Sequence, residues 1–390
     1  MLLVGIASVP AHAESIRSRQ WHLDAFGAEE IWQLSTGKGI TVAVIDSGVD
    51  KDNPDLRGQV LKGKDFATDK PGDESTDYDG HGTSMAGLIA GTGQRDGGEG
   101  AFGLAPAAKI LPIRVPAVVK GSTSQAAADA EFNRVVPEAV RFAADSGAKV
   151  INISMAVATE SPQLTEAVKH ALDKGALVFA GVGNDAQKGN RPMYPAATPG
   201  VVGVGAVDNK ATRIPMSQYG PQVDVVAPGK DTLAACAGGR VCTSSGTSNA
   251  TALASAAAAL VWAKHPEWTN NQVLKVMLNT IAKPKGGEER SDYIGYGAVR
   301  PLRALKTPGD PGPAGVRPID DLAETVTASP TDLSPGDPSP SGSVAAPAPA
   351  PEAAASEDGG GSGLWIGLGI GAAVLIGAAV AVPVLRSRRG

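Results

Sequence analysis

The chain has 390 residues, with 35 Lys and Arg against 40 Asp and Glu, which gives a net charge of −5. This modest charge, with no Lys/Arg-rich run ahead of the C-terminal tail, gives no electrostatic basis for nucleic-acid binding. Composition confines the folded part to roughly residues 20–306, which is ample for one large core.

The chain begins with MLLVGIASVPAHAES, a short apolar run that ends in Ala11-His12-Ala13. A small-x-small triplet after an apolar run is the pattern at which export signals are cleaved. We therefore interpret residues 1–13 as a signal peptide whose basic n-region is missing, followed by an N-terminal extension over residues 14–38. An ordinary N-terminal strand is the alternative.

Short apolar runs predict strands that are covered on both faces, as in a parallel sheet. They are GITVAVI (39–45), KVINIS (149–154), GALVFAG (175–181), GVVGVGAV (200–207) and VDVVAP (223–228). A helical pattern over 161–176 lies between two of them, with Ser161 and Pro162 suited to its start and Gly175 to its end. Alternating strands and helices predict an α/β fold with a mainly parallel central sheet, whose functional sites gather beyond the carboxyl ends of the strands.

Two of the residues that can carry chemistry follow the first strand. Asp46 lies at its carboxyl end, in VAVIDSGVD, and His81 lies in DGHGTSMAGLIAG at the start of a helical pattern. Glycines on both sides of His81 let other backbone and a substrate approach the ring, so this histidine is the candidate general base. The other four histidines, including His22 near the mature N-terminus, are interpreted as removed, solvated or capping. Asp77 and Asp79 precede His81, but one histidine beside loop acids is a poor metal site, and we predict none.

Two serines compete for the role of nucleophile, because GTSMA (82–86) and SGTSNAT (245–251) both carry Gly-Thr-Ser. Each lies in the first turn of a predicted helix, where free N–H groups and the helix dipole favour an anion. Ser84 follows His81 by only three residues on one helix, which makes it hard to place Asp and Ser on opposite ring nitrogens. Ser248 is distant in sequence and can reach the ring from outside, so geometry favours Ser248 without settling the choice.

The C-terminal part predicts a membrane anchor. Residues 307–363 are rich in Pro, Ala, Ser, Gly and acids, which predicts a solvated linker. Residues 364–385 are uncharged and long enough to cross a bilayer. The basic residues of the tail at 386–390 place that tail in the cytoplasm and the folded part outside. A buried core helix is the alternative for 364–385. Cys236 and Cys242 close a short loop, for which a disulfide is the first interpretation and free thiols the second.

Three motifs together resemble the subtilisin-like serine proteases. VAVIDSGVD is similar to the family's Asp motif, DGHGTSMAG to its His motif and SSGTSNAT to its Ser motif, in the order found in subtilisin. The resemblance implies a subtilisin-like three-layer fold and a triad of Asp46, His81 and Ser248. It also implies that Asn184, in GVGNDA, donates to the oxyanion with the backbone of Ser248; without the resemblance, a turn-forming Asn would be preferred.

The segment QWHLDAFGAEEIW (20–32) resembles the start of mycosins, the membrane-anchored subtilisin-like proteases of actinobacterial type VII secretion systems. The order of signal peptide, peptidase domain over residues 39–306, linker, membrane span and basic tail also fits that family. The resemblance implies a protein or peptide substrate and contact with the secretion machinery, and no other cofactor than a calcium ion present in some members, whose ligands cannot be mapped here. A structural role in the secretion complex, with proteolysis dispensable, is the alternative function.

The sequence departs from the family at the strand that pairs with substrate. The usual Ser-Leu-Gly reads Ser154-Met155-Ala156, and an added Cβ there reshapes the cleft. Asn249 follows the candidate nucleophile where Met is common. The substrate specificity is therefore not predicted from the resemblance.

Overall fold

A seven-stranded parallel sheet lies at the centre of the computed structural model, which describes residues 15–68, 70–116 and 124–322. The strands stand in the order β2-β3-β1-β4-β5-β6-β7. Their bounds are β1 Thr41–Asp46, β2 Lys64–Asp65, β3 Lys109–Arg114, β4 Val150–Ile153, β5 Leu177–Gly181, β6 Val201–Val207 and β7 Val225–Pro228. The prediction of an α/β fold with a parallel sheet is confirmed, and all five predicted runs form strands.

Helices cover both faces of this sheet. They are α1 Trp21–Phe26, α2 Ala28–Leu34, α3 His81–Ala90, α4 Gln125–Asp145, α5 Pro162–Asp173, α6 Thr247–Lys264, α7 Asn270–Asn279 and α8 Pro301–Lys306. The α5 helix begins as predicted, since Ser161 accepts a hydrogen bond from Leu164 N and Pro162 occupies the first turn. An antiparallel hairpin, β8 Thr232–Cys236 and β9 Arg240–Ser244, precedes α6.

Two apolar cores enclose the sheet, one on each face. Helices α3 and α6 form one core with side chains such as Val44 and Phe179, while α4 and α5 form the other with Ile45 and Ile151. The α6 helix is buried almost all round and runs across β4 to β7, and its many alanines let it lie close to the sheet. Burial on both faces explains why the strands are apolar throughout rather than alternating.

The folded part extends beyond the predicted boundary at residue 306. Residues 307–322, the C-terminal strap, contact α7, whose Gln272 and Asn279 amides donate to the carbonyls of Gly312 and Asp310, each at 2.9 Å. Ile319 in the strap is buried at 6% exposure. Asn and Gln side chains thus satisfy the carbonyls of a Pro-rich segment, and the prediction of a solvated linker is wrong for this part.

The interpretation of His22 as a solvated or capping residue is also wrong. His22 is fully buried on α1, and neither ring nitrogen has a hydrogen-bond partner. Burial and the nearby Arg17 guanidinium lower the pKa of His22 to about 3.

Several sequence predictions lie outside the described residues. These are the signal peptide at 1–13, the linker beyond residue 322, the membrane span at 364–385 and the basic tail at 386–390. Within the described ranges, no helix is both long and apolar enough to cross a lipid bilayer.

Candidate active site

Asp46 is the last residue of β1, which lies between β3 and β4 in the sheet. Its carboxylate is buried at 1% exposure. Oδ1 accepts hydrogen bonds from Ser47 N at 2.8 Å and from His81 Nδ1 at 2.8 Å, and Oδ2 lies 3.0 Å from the same ring nitrogen. The carboxyl end of a central strand thus holds a buried carboxylate against one side of an imidazole.

His81 is the first residue of α3, and its side chain is 37% exposed. The helix can approach β1 because Gly82 has no side chain: a Cβ there would lie 2.1 Å from Gly48 O. Burial opposes the charged imidazolium, but the Asp46 carboxylate and its hydrogen bond, aided by Asp79 and Asp77, raise the pKa of His81 to about 9. The ring therefore binds protons more strongly than a free histidine.

Ser248 lies in the first turn of α6. Its hydroxyl donates to the carbonyl oxygen of Ser154 at 3.1 Å, and the Ser154 hydroxyl donates back to Ser248 O at 3.3 Å. Ser154 directly follows β4, so strand β4 and the α6 N-terminus are joined at this point. In this arrangement the Ser248 hydroxyl is turned toward Ser154, and no hydrogen bond joins it to His81 among the described residues.

Ser84, the competing serine, faces away from solvent. It is 5% exposed, and its hydroxyl is buried without a hydrogen-bond partner. A substrate carbonyl cannot reach a hydroxyl packed inside the core, so the geometry disfavours Ser84 as a nucleophile.

Asn184 lies beside the α6 N-terminus. Its Oδ1 accepts a hydrogen bond from Thr247 N at 2.9 Å, which leaves the Nδ2 amide as the donor. The two segments are in contact, since a Cβ at Gly246 would lie at the ordinary van der Waals distance of 3.4 Å from Asn184 Nδ2. Asn184, which the resemblance implies as a donor to the oxyanion, thus lies beside the turn that carries Ser248.

The edge segment, Ser154-Met155-Ala156, continues from β4 toward solvent. Ser154 is buried, whereas Met155 and Ala156 are half-buried. The next residue, Val157, exchanges two backbone hydrogen bonds with Tyr194, which fixes the far end of the segment.

The β8–β9 hairpin leads directly into the Ser248 turn and carries the Cys236–Cys242 disulfide. The base of the hairpin is held by the Asn249 amide, which donates to Thr232 Oγ1, Ser244 O and Ser244 Oγ, contacts that were not predicted from the sequence. Only the departure from the family's usual Met at position 249 could have directed attention to this contact.

Among residues 15–68, 70–116 and 124–322, no group of three or more His, Cys, Asp or Glu side chains is placed to hold a metal ion. Calcium also binds backbone carbonyls and Asn or Gln side chains, so the calcium ion that the resemblance implies for some members stays a prediction without assigned ligands.

Comparison with known proteins places this geometry in a family. The model of the Subtilase family matches residues 37–297. An intracellular serine protease of Paenibacillus polymyxa is 34% identical over 239 residues, which cover 60% of this chain and 70% of that protein.

Two solved structures of mycosins are also similar. MycP1 from the ESX-1 type VII secretion system has 28% identity and a TM-score of 0.69, over 79% of this chain and 91% of that one. The MycP3 protease from the type VII (ESX-3) system has 32% identity and a TM-score of 0.66, over 77% and 90%. The chain belongs to the subtilase family of serine endopeptidases and is related to the mycosins.

Proposed function

We propose that the protein is a membrane-anchored, extracytoplasmic serine endopeptidase that cuts with a triad of Asp46, His81 and Ser248. The observation that carries this proposal is the 2.8 Å contact between His81 Nδ1 and the buried Asp46 carboxylate. It fixes the tautomer, because a proton on Nδ1 that faces Asp46 leaves the Nε2 lone pair as the base.

The first half of the reaction acylates the enzyme. Ser248 leaves Ser154 O by rotation about its Cα–Cβ bond and gives its proton to His81 Nε2 as Oγ attacks the scissile carbonyl. The tetrahedral oxyanion accepts hydrogen bonds from Asn184 Nδ2 and from Ser248 N. The imidazolium, stabilised by Asp46, then protonates the leaving amine.

Hydrolysis of the acyl-enzyme repeats these steps with water. His81 takes a proton from the water that attacks the ester, the same donors hold the second oxyanion, and the proton returns to Ser248 Oγ. Apart from substrate and this water, all groups in the scheme belong to the chain itself, and we propose no cofactor.

The edge segment is the proposed binding site for the substrate backbone. A peptide that adds as a strand beside Ser154-Met155-Ala156 would bring its scissile carbonyl toward Ser248. Because main-chain hydrogen bonds carry such binding, the class of substrate is a protein or peptide in extended conformation.

The location and the partners are supported by the relatives and by the sequence ends. MycP1 and MycP3 are proteases of type VII secretion systems. The candidate signal at 1–13, the apolar segment at 364–385 and the Arg-rich tail that follows it support an extracytoplasmic domain with a single membrane anchor. We therefore propose that this protein works beside type VII secretion machinery.

Complementation of a deletion strain tests both parts of the proposal. We expect wild-type protein in the membrane fraction, with its folded part degraded by protease added outside the cells, and secretion changed by Ser248→Ala. A soluble wild-type protein would refute the anchor. Unchanged secretion and an unchanged set of cleaved surface proteins with Ser248→Ala would favour the structural role over proteolysis.

A further inference from the structure

Asp77, in the loop before α3, is the acceptor of five hydrogen bonds from neutral donors. Its Oδ1 accepts from the Ser47 hydroxyl at 2.7 Å, from Gly80 N at 2.8 Å and from Asp79 N at 3.3 Å. Its Oδ2 accepts from Thr83 N at 2.8 Å and from Thr83 Oγ1 at 2.5 Å. Both oxygens are therefore fixed in direction, and the carboxylate is rigidly held.

A structural role accounts for most of these contacts. The N–H groups of Gly80 and Thr83 lie at the N-terminus of α3, where a carboxylate compensates unpaired donors and the helix dipole. Such a cap stabilises the helix that begins with His81. It does not account for the hydrogen bond from Ser47, which lies on another segment of the chain.

The Ser47 hydroxyl stands between two carboxylates. Its oxygen is 2.7 Å from Asp77 Oδ1 and 3.2 Å from Asp46 Oδ1, and it accepts a hydrogen bond from Gly82 N at 2.9 Å. A hydroxyl has one proton to donate, and the shorter contact directs it to Asp77. The Asp77 carboxylate thus orients the Ser47 hydroxyl proton toward itself and away from Asp46.

We propose that Asp77 is a positioning residue for the reaction. It accepts the hydrogen bond of the Ser47 hydroxyl, so that Asp46 Oδ1 remains available as the acceptor for His81 Nδ1. The proposal rests on the proposed triad. Asp46 Oδ1 already accepts from Ser47 N and from His81 Nδ1, each at 2.8 Å. A Ser47 proton turned toward the same oxygen would compete with the imidazole and weaken the hold on its orientation.

Charge gives Asp77 a second effect, which it shares with Asp79. The carboxylates that face the His81 ring electrostatically are Asp46, Asp79 and Asp77, and all three raise the pKa of His81. Loss of either loop charge should therefore lower the pH at which His81 becomes a base. Of the two loop carboxylates, Asp77 and Asp79, only Asp77 accepts a hydrogen bond from Ser47, so the two can be told apart by experiment.

The test compares Asp77→Asn with the charge-matched Asp79→Asn in the full-length protein, by peptide hydrolysis across pH. The concentration of active sites is counted by fluorophosphonate titration, so that misfolded protein does not enter kcat. We expect Asp77→Asn to lower kcat about tenfold with KM within twofold, and both variants to move the acid limb to lower pH. Asp79→Asn should keep the plateau kcat within twofold.

Two further variants separate positioning from helix capping. Ser47→Ala removes the proton that would compete with the imidazole, so it should lower kcat less than Asp77→Asn does. Asp77→Asn combined with Ser47→Ala should recover toward the kcat of Ser47→Ala alone, because the loss in Asp77→Asn acts through the Ser47 hydroxyl. Thr83→Val removes a donor to Asp77 on the side away from Ser47. It should lower Tm about as much as Asp77→Asn while kcat stays within twofold.

A readout without turnover keeps this proposal separate from the proposed function. The low-field proton resonance between His81 Nδ1 and Asp46 should shift in Asp77→Asn, return toward its wild-type position when Ser47→Ala is added, and move much less in Thr83→Val. An inactive wild-type protein would refute the proposed function. The position of the resonance would still test whether Asp77 affects the hydrogen bond between His81 and Asp46. Equal kcat in Asp77→Asn and Asp79→Asn, a double variant with kcat no higher than that of Asp77→Asn, or a resonance unmoved by Asp77→Asn would overturn the positioning role.

Discussion

Replacement of His22 by leucine should abolish part of the protein's acid sensitivity. The ring is fully buried on α1 and its pKa is lowered to about 3, whereas a histidine in the unfolded chain has its ordinary value of 6.5. Between these values the unfolded chain binds a proton that the folded chain does not, so stability falls as the pH drops below 6.5. At pH 5, 1.5 units lower, 1.36 kcal/mol per unit gives a loss of about 2 kcal/mol.

Denaturant unfolding at pH 8 and pH 5 measures this contribution, in a Ser248→Ala background that prevents self-digestion. Between the two pH values, wild-type His22 should lose about 2 kcal/mol more stability than His22→Leu. Leu23→Ala is the matched control, since the neighbouring fully buried side chain does not titrate. It should cost about 2–5 kcal/mol at both pH values alike. The same pH dependence in wild type and His22→Leu would refute the reasoning.

Three further predictions follow from the site and the strap. Asn184→Ala should lower kcat about 10²–10³-fold with little change in KM, the effect that loss of one oxyanion donor has in subtilisin; steady-state kinetics that show equal kcat would remove Asn184 from the oxyanion site. Because His81 acts as a base only when neutral and its pKa is raised to about 9, kcat/KM should rise with pH to an alkaline plateau. A limb centred at or below pH 6.5 would contradict the shift. A chain that ends at residue 306 should be at least about 2 kcal/mol less stable to denaturant than one that ends at 322, since it loses the burial of Ile319; equal stability would show that the strap does not support the fold.

The parallel sheet was predictable because its strands are buried on both faces. Runs such as VAVI in β1 and LVFAG in β5 are apolar without interruption. Helices cover both faces of these strands, so no position alternates toward solvent. Strand β3, Lys109–Arg114, was missed because Pro112 interrupts its apolar run and the charged residues Lys109 and Arg114 stand at its two ends. Its fully buried Arg114 is held by carbonyls of Asp73 and Pro71, which no local pattern reveals.

The candidate site was predictable where a reactive side chain lies at the end of a strand or at the start of a helix that the sequence itself indicates. Asp46 follows an apolar strand, and Ser248 opens an Ala-rich helix, so both positions are marked in the sequence. The contacts that hold them are not: Ser47 to Asp77 spans 30 residues, and Asn249 to Thr232 spans 17. Such pairs depend on which loops the fold brings together, and the same is true of the burial of His22.

Labelling with a fluorophosphonate probe, followed by peptide mapping, tests the central claim most directly. Wild-type protein and Ser84→Ala should both carry the label on the peptide that contains Ser248, and Ser248→Ala should carry none, because only a serine activated by His81 attacks the phosphorus. Label on Ser84, or label that persists in Ser248→Ala, would contradict the assignment of Ser248 as the nucleophile.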